Sequence, residues 1–275
     1  MLFSRHDTLR VADILADAAR AEIMPRFRNL PEGGIRTKSS AIDLVTDADE
    51  AAERRITADL LAAFPNAVVV GEEAAAKDRR VLDAIADAEL CFIVDPIDGT
   101  KNFASGLTLF GVMAAVVSRG ETVAGIIHDP IGHDWALALR GEGAWFQRPD
   151  GTTRTMRVAD PAPLSAMEGA VGITFLPEPL RSTVGANLAK LAAMANYRCA
   201  AHEYRVIASG ALHLALYNKL EPWDHAAGWL LHREAGGYSA RFDGSPYLPT
   251  HRSGGLILAP DEASWREARD GLLNR

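Results

Sequence analysis

Apolar residues recur at helical spacing at Val11, Ile14, Leu15, Ala18 and Ala21, which predicts a first helix closed by Pro25. The period returns at Ala52, Ile56, Leu60 and Leu61, a second helix running from Thr46 to Phe64-Pro65. AVVVGEE (67–73) and LCFIVD (90–95) read as strands, with KDRRVLDAIADAE (77–89) as a third helix between them. From 106 to 147 the chain is strand-rich, punctuated by turns at Arg119-Gly120, Asp129-Pro130 and Gly141. GAVGITF (169–175) reads as a strand, PLRSTVGANLAKLAAMA (179–195) as a helix, and HEYRVIASGALHLALY (202–217) mixes both signals. PWDHAAGWLLHREAGG (222–237) is a helix with a Gly-Gly stop, and GLILAP (255–260) is a last strand before a polar C-terminal helix. Helices and strands alternate without a strict βαβ rhythm. That favours α+β (mixed α/β) layers over a doubly wound parallel sheet.

The chain of 275 residues is long enough for one large domain or two ordinary ones. The turn RPDGTTRT (148–155) is the best boundary, dividing 1–152 from 153–275. A net charge of −7 with no basic run argues against a nucleic-acid coat. The longest apolar run, LTLFGVMAAVV, is far short of the ~20 residues of a membrane-spanning helix. The N-terminus places acids and arginines through its apolar positions, unlike a signal peptide. Only Cys91 and Cys199 are present, without metal-type spacing, so a reduced, cytoplasmic protein is the expectation.

Acids collect at element ends: Asp47 and Asp49, Glu72 and Glu73, Asp95 and Asp98, and Asp224. Each has an ordinary structural reading. Thr46-x-x-Asp49 fits a capping box, Glu72-Glu73 a solvated strand end, Asp98-Gly99 a turn, and Asp224 an N-cap. Together they say more. Glu72 and Asp95 each follow an apolar run, so neighbouring strands would deliver both to one sheet edge. Carboxylates a few ångströms apart cannot all ionise without a counter-charge. Hard oxygen donors with no His or Cys among them suit Mg²⁺, with Mn²⁺ or Ca²⁺ as alternatives. The spacing in Asp95-Pro96-Ile97-Asp98 lets two side chains and a carbonyl face one metal region. Free N–H groups at Gly99-Thr100 favour an anion beside it. Carboxylates that hold metals next to amides that accept an oxyanion make a phosphate site.

GEE (71–73), DPIDGTKNF (95–103) and PWDHAAG (222–228), with DLVTDAD (43–49) upstream, resemble the inositol monophosphatase family of Mg²⁺-dependent, lithium-sensitive phosphomonoesterases. The motifs stand in family order over nearly the whole chain. The resemblance implies a five-layered αβαβα sandwich of the inositol monophosphatase and fructose-1,6-bisphosphatase type. Its N-terminal domain would carry most metal ligands and its C-terminal domain would complete the metal and substrate site. Glu72, Asp95 and the carbonyl of Ile97 would hold one ion; Asp95, Asp98 and Asp224 a second; a third would lie near Glu72. Asp49 and Thr100 would orient the attacking water, with Glu72 also catalytic through its ion. Gly99, Thr100 and Asp224 would meet the substrate, and Lys38 matches a lysine of a mobile loop. A homodimer is implied as well.

Substrate recognition departs from the family pattern. Arg198-Cys199-Ala200 stands where inositol-specific members carry Gly-Thr-Ala, and Tyr217 stands where they carry a hydroxyl-binding Glu. A cationic rim of Arg198, Arg205 and Lys219 suits a substrate with a second negative group. Alternatively, HEYR packs a helix in which Glu203 pairs with Arg205 or a neighbour. The expected activity is hydrolysis of a small phosphorylated metabolite, inositol phosphate-like. Histidinol phosphate, fructose 1,6-bisphosphate, a 3′-phosphoadenosine nucleotide or another sugar phosphate stay open. From another class, a regulatory protein binding RNA or a protein partner is the competing reading. His128, His133, His202, His213 and His225 recur at no ligand spacing and read as structural or surface residues.

Overall fold

The computed structural model of the chain describes residues 3–31, 33–40 and 43–274, and the side chains of Lys38, Ser39, Ser40 and Asp43 lie outside the described residues. The chain opens with α1 (Arg5–Ala18), a hairpin of β1 (Ile35–Ser40) and β2 (Asp43–Thr46), and α2 (Asp47–Ala63). Then come β3 (Val68–Gly71), α3 (Glu72–Lys77), α4 (Ala84–Asp87), β4 (Cys91–Asp98) and α5 (Thr100–Ala104). A meander follows: β5 (Gly111–Ser118), β6 (Glu121–Asp129), β7 (Asp134–Leu139), β8 (Gly143–Gln147) and β9 (Thr153–Thr155). The remaining elements are β10 (Glu168–Val171), α6 (Leu180–Asn187), β11 (Ala193–Ala195), α7 (Ala200–Ala208), β12 (Leu214–Tyr217), α8 (Pro222–Glu234), β13 (Tyr238–Ala240), β14 (Leu256–Ala259) and α9 (Glu262–Leu273).

Two sheets carry the fold. One has seven strands in the order β3 to β9, the other five in the order β11-β10-β12-β14-β13. Strand β3 runs parallel to β4, and every later pairing in the larger sheet is antiparallel. Both sheets are covered on both faces, so their strands read as apolar runs rather than alternations. In β5, Val112, Ala114 and Val116 meet α1 and α2 in one cluster. Met113, Ala115 and Val117 turn the other way, to a cluster shared with α7 and α8. The same central helices receive Ala215 of β12 and Leu256 and Leu258 of β14. Leu214, Leu216 and Ile257 face a third cluster with α6 and α9. Helix pair, sheet, helix pair, sheet, helix pair: these are the five expected layers.

Several local expectations change. The helix expected at 77–89 is broken, because Asp78 leaves the helical region and its carboxylate accepts from the Arg80 amide (3.0 Å). Glu72 and Glu73 begin α3 rather than ending a strand. The helix expected at 179–195 stops at Asn187, passes through a 3₁₀ turn, and becomes edge strand β11. Strand β10 ends at Val171, short of Phe175. The hairpin at 148–155 is present, and its returning strand β9 pairs with β8 in the larger sheet. Asp224 is not an N-cap: Glu221 holds that place and Asp224 lies inside the first turn of α8. The cysteines are free and buried, and no described helix is long and apolar enough to cross a membrane.

Candidate active site

A regular strand sends residues i and i+3 to opposite faces, so Asp95 and Asp98 should diverge. They do not, because β4 bulges. Asp95 pairs with Met113 and Asp98 with Gly111, three residues of β4 against two of β5. The extra residue restores parity and re-aims Asp98. Helix α8 brings in Asp224 from the layer between the sheets. The result is a triad, Asp95, Asp98 and Asp224, offering carboxylate oxygens within 4.8 Å of one another.

The parallel pairing of β3 and β4 sets Gly71 beside Val94, so Glu72 emerges next to Asp95. Gly99 then takes φ +86, and a Cβ there would lie 2.8 Å from the Leu109 carbonyl and 3.2 Å from the Cys199 sulfur. Only glycine allows β4 to turn into α5 at this point. Asp49 is wholly buried. One of its oxygens closes the capping box expected at Thr46, accepting from the Thr46 amide (2.8 Å) and hydroxyl (2.5 Å). The other accepts from the Thr100 hydroxyl (3.1 Å), which also lies 2.9 Å from the Ile97 carbonyl. The capping reading of Asp49 is thus borne out, and its second oxygen meets Thr100, the residue with which the resemblance groups it. Asp47 instead pairs with Arg36 at the surface (3.1 Å).

Electrostatics perturb two of the three acids, Asp98 and Asp224. Burial, then the like charges of Asp98 and Glu72, holds Asp224 well above the usual carboxylate range. Burial also raises Asp98, opposed by the Cys199 thiol at 3.0 Å and the Ala201 amide at 2.5 Å on the same oxygen. A cleft of about 940 Å³ opens over these acids. Glu72, Asp95, Ile97, Asp98, Gly99, Thr100, Arg198, Cys199, Tyr217 and Asp224 all line it, and Asp49 reaches it through Thr100.

Arg205 is a correction. Residues two apart on a helix point away from each other. While Glu203 of α7 faces the cleft, Arg205 is buried against the larger sheet, 2.5 Å from Asp134 and 3.7 Å from Asp129. Lys219 does line the cleft but is tied to Glu221 at 3.8 Å, as is Arg79 at 3.0 Å. Glu203 does not pair with Arg205. It accepts from the Tyr197 amide (3.0 Å) beside the Tyr217 hydroxyl, and burial pushes its carboxyl up to about 7. Helix α7 thus sets a carboxyl beside Tyr217 in the cleft lining.

Two residues with a structural role here escaped the sequence reading. Glu53, one turn after Asp49 on α2, accepts from the Glu73 and Ala74 amides (2.7 and 2.8 Å) and so caps α3 beneath Glu72. Its i, i+4 spacing from Asp49 was the available signal. Asn102 donates to the Leu109 and Tyr197 carbonyls (2.9 and 2.8 Å), fixing the loop that carries Arg198.

The family model described as "Inositol monophosphatase family" matches residues 5–273. A Nus factor SuhB of Haemophilus influenzae is 33% identical over 232 residues, 82% of this chain and 80% of that relative. An inositol-1-monophosphatase of Bacillus subtilis is 29% identical over 216 residues, 78% of each chain. A crystal structure of the extragenic suppressor protein SuhB from Bartonella henselae superposes with a TM-score of 0.80 at 28% identity, covering 96% of this chain and 98% of that one. With the match spanning nearly every element of both sheets, the chain belongs to the inositol monophosphatase family.

Proposed function

We propose that this chain is a divalent-cation-dependent phosphomonoesterase acting on a small phosphorylated metabolite. The observation that carries the reading is the carboxylate triad of buried Asp95 and Asp98 with half-buried Asp224, which lines the cleft. The donor set is all hard oxygen, which fits Mg²⁺, Mn²⁺ or Ca²⁺. Glu72, Asp95 and the Ile97 carbonyl would hold one ion, and Asp95, Asp98 and Asp224 a second. Bound there, such ions neutralise the acids, acidify the attacking water and stabilise the charge that grows on the ester.

The chain's own residues do the positioning. Asp49 and the Ile97 carbonyl are the two acceptors within reach of the Thr100 hydroxyl, so its hydrogen turns toward them and the lone pairs of its oxygen are left to accept from the attacking water. The backbone N–H groups of Gly99 and Thr100 receive phosphate oxygens. The leaving group extends past Cys199 toward Tyr217. Phosphoryl transfer asks little more of a protein than this placement and charge compensation.

Released phosphate, measured with glycerol 2-phosphate and myo-inositol 1-phosphate, tests the reading. A chelator abolishes release and Mg²⁺ restores it. Asp224→Asn lowers the rate on the order of 10²-fold or more while the circular dichroism spectrum is unchanged. Hydrolysis that persists in chelator refutes the proposal. The Nus-factor name of relatives such as that of H. influenzae supports a second reading, a regulatory partner-binding protein on this fold. A net charge of −7 disfavours RNA as that partner. A mobility-shift assay at low and moderate salt tests RNA as that partner, and a shift at moderate salt would overturn that exclusion.

A further inference from the structure

Among the described residues, four cations line the cleft: Arg79, Lys101, Arg198 and Lys219. Arg79 and Lys219 share the one carboxylate of Glu221, which offsets one of their two charges. Lys101 and Arg198 differ: among the described residues neither makes an ion pair. They are also held at one place. Asn102 donates to the Tyr197 carbonyl at 2.8 Å, and the Cys199 sulfur stands 3.2 Å from where a side chain on Gly99 would begin. The chain on either side of Arg198 is thus fastened to the chain on either side of Lys101. Backbones so fastened set both cations at one part of the cleft lining, where a single anion can meet the two.

The backbone at Arg198 points the same way. Its φ is +53, the left-handed region that glycine occupies freely and a long side chain does not. The loop is pinned into that shape by the Asn196 side chain, which accepts from the Arg198 amide (3.1 Å), and by Glu203 on the Tyr197 amide (3.0 Å). An arginine therefore stands, exposed at the lip of the cleft, where glycine would be free of strain. A guanidinium fork suits carboxylate and phosphate alike.

We propose that Lys101 and Arg198 form a second anion subsite, which selects phosphate esters whose leaving group carries a further carboxylate or phosphate. The proposal rests on the phosphatase reading above and names its substrate class. Two pairs of esters test it, differing in the kind and reach of the second anion. They are 2-phosphoglycerate against glycerol 2-phosphate, and fructose 1,6-bisphosphate against fructose 1-phosphate.

In at least one pair the kcat/KM ratio exceeds about ten in favour of the more anionic member. Arg198→Gly, which suits the backbone, and Lys101→Ala each cut that ratio about fivefold or more, through KM of the more anionic ester. Arg198→Lys retains part of it. Ratios near one in both pairs, or ratios that neither substitution moves, overturn the subsite. Titration calorimetry of the same esters with Mg²⁺ keeps the two proposals apart. A binding preference lost in Arg198→Gly, without turnover of any ester, upholds the subsite and sinks the phosphatase.

Discussion

The last glycine of PWDHAAG gives the sharpest structural prediction. A Cβ built on Gly228 would fall 2.0 Å from Cγ of Tyr204, 2.1 Å from Cδ2 and 2.5 Å from Cδ1. Carbon atoms in contact prefer about 3.5–4.0 Å, so the overlap is roughly 1.5 Å. The ring has nowhere to go. It is wholly buried, stacked on Tyr217 (5.5 Å between centroids), and its hydroxyl lies 3.1 Å from Nδ1 of His225. In Gly228→Ala, α7 and α8 must therefore separate. Overpacking of this kind costs about 3 kcal/mol, offset by about 1 kcal/mol of helix propensity gained over glycine. The net loss of about 2 kcal/mol lowers Tm by roughly 4–8 °C in a chain of this size. Function should suffer more than stability, because α7 carries the Ala201 amide that holds Asp98 and α8 carries Asp224. A displacement of about 1 Å costs on the order of 10²-fold in rate. Scanning calorimetry and phosphate release on the same preparation read both effects. In a Tyr204→Leu background the substitution should cost less than about 1 kcal/mol, the coupling expected of residues in direct contact. An alanine variant with wild-type Tm and wild-type rate would refute the packing argument.

Glu53→Gln replaces one of two acceptors on the Glu73 and Ala74 amides with an NH₂ group that faces a donor. We expect a loss of about 1.5–3 kcal/mol in urea unfolding and a raised Mg²⁺ requirement, since the N-terminus of α3 carries Glu72; unaltered values of both would show that the cap does not position the site. His232 is wholly buried on α8, and burial pulls its pKa down to about 3. The unfolded chain takes up that proton near pH 6.5 and the folded chain does not, so this contribution to stability is lost as pH falls from about 6.5 toward 3. Between pH 7.0 and 5.5 it amounts to about 1 kcal/mol, and His232→Leu should lessen the wild-type drop in urea stability by that amount. Equal drops in the two proteins would place the proton elsewhere.

What the sequence determined by itself is local and periodic. Thr46-x-x-Asp49 had to cap a helix, the apolar runs of β4 and β5 had to lie between covered faces, and Asp95-Pro96-Ile97-Asp98-Gly99 had to end a strand in a turn. The order of the acidic motifs carried the family. Tertiary structure decided the rest, because side chains meet by layer and not by separation along the chain. Only the bulge in β4 reveals why two aspartates of opposite parity share a side. Helical phase alone sends Glu203 to the cleft while turning Arg205 into the larger sheet. Lys101 and Arg198, ninety-seven positions apart, become neighbours through an asparagine and a glycine that look like ordinary turn residues until the sheets are stacked.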